Sequence, residues 1–323
     1  MIRPRCLGLG LLFLGGLVLS GCLENRRETK AAPPDLSAVA GEILDLWNDA
    51  DLVCLGETHG SVLDAALRTS LVAHPRFAST VEVVVVEFAS PLHQTLLDRL
   101  VRGGESLSRD ELRPVWRDAG LGETWELPRY EEFFRAVARR NQDLPRSQRV
   151  RIVAAALPIE WERVQKPADL TQWGDRAEQF ESVLRREVLD ARRKGLAVFG
   201  HGHCEKLPSS MLGRLAASEP ERVRAVFGFE GARGVAAARE RLELGSKPRL
   251  LQVTGTPLAA QPAGTMFFEG HAQVPLGDLL DAVVSYGSNE DTVLDPADLS
   301  FTPELRRELD RRARLWLAAQ RGE

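Results

Sequence analysis

The 323-residue chain has no Gly-x-Ser-x-Gly stretch, so a serine nucleophile on a strand-to-helix elbow is not expected. It has no His-Glu-x-x-His helix and no cysteine cluster, which removes the most specific zinc signatures. No Lys/Arg block is interleaved with aromatic residues, and the net charge is −4 with both signs interspersed. Nucleic-acid binding therefore has no support. Internal repeats and low-complexity tracts are absent. Tyrosine and methionine are scarce, at two and three residues, and there are four cysteines. The apolar run "CLGLGLLFLGGLVLS" is shorter than the roughly twenty residues that a membrane-spanning helix requires.

That run has a different use. Arg3 and Arg5 precede it and the small residues of "LSGC" follow it, the pattern of a secretory signal. Leu19-Ser20-Gly21-Cys22 has the form of a bacterial lipobox, with Cys22 as the lipidated residue and new N-terminus. The alternative is an ordinary signal peptide with a chance cysteine. With Leu23 after the cysteine, enterobacterial sorting would place the anchor in the outer membrane, facing the periplasm. Three segments are expected: a lipoprotein signal over 1–22, a polar tether with two prolines over 23–35, and one α/β domain over 36–323. Cys6 would leave with the signal. Cys54 and Cys204 then remain in an oxidising space, either as a disulfide or as two separate thiols.

Valine-rich runs alternate with helical patterns along the rest of the chain. Strands are expected at 51–56, 81–89, 149–157, 196–201, 222–229, 249–255 and 280–287. Several lack polar alternation, as strands buried on both faces do. Helical patterns fall at 61–73, 90–102, 108–119, 128–141, 173–194, 208–218 and 231–242, with Ser61 and Asp64 spaced as a capping box. The tail "PELRRELDRRARLWLAAQ" reads as a docked surface helix. This order predicts a mainly parallel sheet with helices on both faces. A helical insertion of about sixty residues follows the second strand, far longer than one crossover needs. It carries Trp116, Trp125, Tyr130, Phe133 and Phe134 and is expected to form a pocket wall. A proline-bearing connection, "PIEWERVQKPADLTQWGD", follows the third strand as a lid or a buttress.

In an open parallel sheet, ligands bind beyond the carboxyl ends of the strands. The first strand ends at Glu57 and His59, and the second at Glu87. The third runs out to Glu160, the fourth to His201 and His203, and the fifth to Glu230. Acids and histidines are thus expected to gather at one sheet edge. Glu87, ending a long apolar strand, would be costly to bury without a partner, which could equally be a structural arginine. His201-Gly202-His203 suits a metal or a plain strand end. His74 and His93 look like surface residues, whereas His271 beside Glu269 could form a second acid/base pair.

"LGETHGS", "VVVVEFA" and "VFGHGHCEK" together resemble the superfamily that joins erythromycin esterases with ChaN-like haem-binding lipoproteins and, more distantly, the TraB/Tiki proteases. The resemblance places the esterase histidine at His59, its following arginine at Arg68 and its strand-end glutamate at Glu87. The later histidine pair corresponds to His201 and His203. The turn holds one residue between Glu57 and His59, fewer than in the esterases and as in ChaN-like proteins. The ChaN resemblance implies haem held by a tyrosine, for which the chain offers only Tyr130 and Tyr286.

The leading expectation is an envelope-anchored hydrolase acting on an ester or related acyl bond. His59 would be general base, Glu57 or Glu87 would orient it, and Arg68 would hold the oxyanion or pair with Glu87. His203 would serve as leaving-group acid or substrate binder, with His201, Glu160 and Glu230 as further binding residues. A variant of this expectation uses Glu57, His59, Glu87 and His203 as ligands of a divalent metal. The alternatives are a non-catalytic haem- or iron-binding lipoprotein and an inert scaffold. The partner is in each active case a small-molecule substrate or haem, with the membrane reached through the N-terminal lipid.

Overall fold

The computed structural model describes residues 34–120, 122–228, 245–263, 273–287, 299 and 301–321. The signal segment with Cys22, Glu230, Glu269, His271 and the expected helix at 231–242 lie outside the described residues. The strands are β1 (Leu52–Glu57), β2 (Val83–Val86), β3 (Arg151–Ala154), β4 (Gly195–Gly200), β5 (Val223–Gly228), β6 (Arg249–Gln252) and β7 (Ala282–Ser285). All seven lie within one residue of the expected spans, and most are shorter. They form one sheet in the order β3-β2-β4-β1-β5-β7-β6, parallel throughout except for β6, which runs antiparallel to β7.

Burial explains the order. β1, β2 and β4 are buried at every position, whereas β6 at the edge is half-exposed and polar at both ends. Successive residues of a strand point to opposite faces. Val53, Leu55, Val84, Val86, Leu196 and Val198 accordingly enter one core layer, and Cys54, Val83, Val85, Ala197 and Phe199 enter the other. Helices cover both layers. Ser37–Asp45, Val62–Ala73 and Pro128–Asn141 lie on the first, and Arg176–Leu184 and Met211–Ser218 on the second.

Three local expectations change. The spans 90–102 and 173–194 are not single α-helices: each passes into a π turn, at Arg99–Gly103 and at Arg185–Leu189. Ser61 caps its helix by accepting from the Asp64 N–H, but the Asp64 carboxylate serves the Thr58 N–H and the Tyr286 hydroxyl instead of closing the box. Helix Ser37–Asp45 lies outside the helical spans expected from the sequence, although Val39, Ala40, Ile43 and Leu44 make one apolar face.

The connection after β3 folds into 3-10 turns at Trp161–Arg163 and Pro167–Trp173. Its residues Leu157, Ile159, Trp161, Val164 and Leu170 form a third apolar cluster against the C-terminal helix, Pro303–Arg321. Arg312 of that helix is buried, stacks over Trp161 and pairs with Asp118 at 2.7 Å. The tail helix is docked, as expected.

Candidate functional site

The strand order decides which reactive groups meet. β4 lies between β1 and β2, so the carboxyl ends of these three strands are contiguous. Glu57 pairs in register with Gly200, and Glu87 follows directly on β2. β3 lies beyond β2 at the sheet edge. Its outlying Glu160 is half-exposed and bonded to Arg163, outside the cluster. The expected role of Glu160 at the site is therefore corrected: the chain turns away before reaching that residue.

β1 ends in a tight turn. Gly60 takes φ +82°, a left-handed conformation that favours glycine, and Ser61 N–H closes the turn on the Thr58 carbonyl at 2.9 Å. This turn brings the His59 imidazole back to its own strand, with Nδ1 3.2 Å from Glu57 Oε1. The Cε1–Nε2 edge of the ring meets Gly200, where an added Cβ would lie 2.9 Å from Nε2, a distance side chains do not tolerate. Trp125, from the insertion, packs edge-on against the same ring at 4.7 Å.

Glu57 is 3% exposed, and its charge is held by three neighbours. Arg68 pairs with Oε2, while Tyr130 donates to Oε1 at 3.0 Å beside His59. Arg68 sits two turns along helix Val62–Ala73, and helical side chains lean towards the helix N-terminus, which aims it back at β1. Its guanidinium is buried and stacks over the Tyr130 ring at 5.0 Å. Removing either member of such a pair strands a buried charge, at a cost of about 3–5 kcal/mol. Arg68 therefore pairs with Glu57 and not with Glu87, and it is enclosed too completely to meet an oxyanion in the cleft.

Glu87 is 2% exposed. Its Oε2 accepts from Gly200 N–H at 2.8 Å, while Oε1 has no hydrogen-bond partner among the described residues. Arg176 lies 3.7 Å from Oε1 and the His203 imidazole Nε2 3.6 Å from it. Arg176 donates to His203 Nε2 at 2.7 Å, which fixes His203 as the neutral tautomer with its proton on Nδ1. Arg176 is the first residue of helix Arg176–Leu184, capped by Asp175, and nothing in its sequence setting announced a site residue.

The environments push the titrations apart. Burial disfavours the His59 cation, but the Glu57 hydrogen bond and the charges of Glu87 and Glu57 outweigh it and raise the imidazole above its ordinary 6.5. Burial likewise opposes the Glu57 carboxylate, yet Arg68, His59 and Tyr130 hold it below the usual range. Burial lowers His203. It lowers His201 to about 4, with the charge of His59 the next cause; that ring stacks on Phe227 at 4.7 Å.

His201 thus folds as a neutral side chain. Below pH 6.5 the unfolded chain takes up a proton that the native state refuses, so stability falls as pH drops from 6.5 towards 4. At 1.4 kcal/mol per pH unit the loss reaches about 3 kcal/mol. Urea unfolding of His201→Gln should show a markedly flatter pH dependence over this interval. An unchanged slope would assign the acid sensitivity elsewhere.

Among the described residues, no three His, Cys, Asp or Glu side chains are grouped to hold a metal ion. Glu57, proposed as a ligand, has both oxygens committed to Arg68, Tyr130 and His59. The tyrosines fit haem ligation no better. Tyr130 and Tyr286 are each 1% exposed, bonded to Glu57 and Asp64. Trp125 is expected as pocket wall and Tyr130 as pocket wall or haem ligand; neither is expected as a partner of the Glu57–His59 pair, although a lone tyrosine in an aromatic insertion was the available signal.

No curated protein matches the sequence. Among solved structures, a mutant of the erythromycin esterase EreC in its open conformation aligns with a TM-score of 0.54 at 11% identity. The match covers 82% of this chain and 96% of that one. A succinoglycan biosynthesis protein gives 0.53 at 10% identity, over 76% and 89%. ChaN of Campylobacter jejuni, solved with cofacial haem, gives 0.37 at 16%, over 62% and 88%. At these identities the first two share the fold. The family model for haem-binding uptake proteins, Tiki superfamily, ChaN, matches residues 43–219. That span runs from helix Ser37–Asp45 to the helix before β5, contains every side chain of the cluster, and covers more than half of the sequence; the chain belongs to this ChaN family.

Proposed function

We propose that the protein is a hydrolase of an ester or related acyl bond, anchored in the bacterial envelope by a lipid on Cys22 and facing the periplasm. One observation carries the reading: the Glu57–His59 pair is locked from behind by Arg68 and Tyr130, while the imidazole itself is 31% exposed at the meeting point of three strands. A buried carboxylate on Nδ1 keeps the proton there and leaves Nε2 as the accepting nitrogen, as a general base requires. The erythromycin esterase fold and the family both accommodate a small-molecule partner.

Water adds through oxygen to the carbonyl carbon, and its proton passes to His59 Nε2. The oxyanion faces the half-buried Arg176 guanidinium, which takes the role first expected of Arg68. As the carbon–oxygen bond breaks, His59 returns the proton to the leaving alkoxide, giving acid and alcohol. His203, neutral and accepting from Arg176, positions that guanidinium instead of acting as leaving-group acid.

The family description favours a second reading, haem binding. The residues present do not fit a tyrosine-held haem, because neither tyrosine hydroxyl is exposed. The two readings separate by experiment. Ester hydrolysis should rise with pH along a single limb whose midpoint lies above 6.5, since only neutral His59 accepts a proton. Titration with haem should give no tyrosinate-type Soret shift. A haem complex with stoichiometric absorbance, and no turnover on a panel of acyl esters, would reverse the assignment.

A further inference from the structure

Beside the cluster lies a groove of about 370 Å³, within the usual range for small-molecule sites. Its apolar wall is made by Leu157 and Leu170 from the connection after β3, Ala177, and Trp316 and Ala319 from the C-terminal helix, with Thr171 and the helix-capping Asp175 also on the rim. One end is polar, where Arg176 and His203 line it. Those same two side chains approach the buried Glu87 Oε1 at 3.7 and 3.6 Å. Arg176 also lies 5.8 Å from the centre of the Trp316 ring, so the guanidinium bridges the polar end and the apolar wall. A larger cleft of about 740 Å³ sits at the opposite, amino-terminal ends of β2 and β3, and none of the clustered residues lines it.

We propose that this groove is an acyl subsite that takes the hydrocarbon part of a medium-chain carboxylic ester, with Arg176 at its head and Trp316 as the residue that sets chain-length preference. The inference rests on the hydrolase reading for its chemistry but not for its binding. Water leaves an apolar trough readily, and each buried methylene contributes about 0.8 kcal/mol. A chain lying along Trp316 with its carbonyl at Arg176 puts the reacting carbon at the polar end of the groove, where Arg176 and His203 approach Glu87; His59 itself does not line the groove. A free carboxylate in the same pose would pair with the Arg176 fork. Two of the wall residues, Trp316 and Ala319, lie beyond residue 219, outside the span matched to the family. Acyl selectivity is accordingly a property of this chain's own C-terminal helix.

The test uses the full folded protein with p-nitrophenyl acetate and p-nitrophenyl octanoate, and with sodium octanoate as the non-reacting probe in calorimetry. The parent should prefer the octanoate ester in kcat/KM by at least tenfold and should bind octanoate. Trp316→Ala should cut that preference about tenfold, and Ala319→Trp, which fills the trough, should remove it and the octanoate heat while circular dichroism stays native. Octanoate binding in His59→Ala and parent alike, without turnover of either ester, would retain the subsite and overturn the hydrolase reading. Turnover with no chain-length preference and no octanoate binding would do the reverse. If neither occurs, both fall.

Discussion

Replacing His59 with alanine should lower kcat/KM for an ester substrate by about 10² to 10⁴, the usual contribution of a positioned general base. The fold should survive, because the imidazole is 31% exposed and the ion pair behind it, Glu57 with Arg68, does not depend on it. The loss should fall mainly on kcat, since His59 acts on water and not on the bound acyl group. The alkaline-favouring limb set by the raised His59 titration should vanish from whatever activity remains. Steady-state kinetics across pH on parent and variant provide the check. Parent-like turnover in His59→Ala, on a substrate whose hydrolysis is purified with the protein, would sink the mechanism.

Removing the disulfide should have the largest effect on stability. Cys54 on β1 and Cys204 in the turn after β4 are bonded, with Cα atoms 5.6 Å apart and a separation of 150 residues. Chain entropy for a loop of that length gives about 5 kcal/mol, at the top of the range seen for native disulfides. Both cysteines are fully buried among Phe199, Ala225 and Phe227, so the packing around them adds to the loss when the bond is absent. Urea unfolding of the parent, the reduced protein and Cys54→Ala/Cys204→Ala should place the last two well below the first. Equal midpoints would show that the cross-link leaves the unfolded chain unconstrained. Cys204 directly follows His203, so the bond also pins the turn that holds His203 against Arg176. Some activity should therefore be lost along with the stability.

The sequence expressed the strands well because most are short apolar runs buried on both faces, and such a run needs no partner to be recognised. It also marked where strands end, at Glu57, Glu87 and His201, because a charged or polar residue closing an apolar run is visible locally. The π turns were invisible, since an amphipathic period survives a local widening of the helix. The contacts of Tyr130 with Glu57 and of Arg176 with His203 were invisible for a different reason. Each side chain reaches the cluster from a separate element, 73 residues from Glu57 in one case and 27 from His203 in the other.

By itself, then, the sequence determined a mainly parallel α/β sheet with a helical insertion, and put acids and histidines at the carboxyl ends of its strands. Periodicity and burial act over a few residues, so these features are written where they occur. Only the tertiary structure decided that β4 inserts between β1 and β2, which joins Glu57, His59, Glu87 and His203 and leaves Glu160 outside. It alone gave Arg68 to Glu57, put Arg176 beside Glu87, and laid Trp316 against the site from the far end of the chain. Strand order and the pairing of buried charges depend on which surfaces exclude water together, and that is settled by packing across the whole molecule.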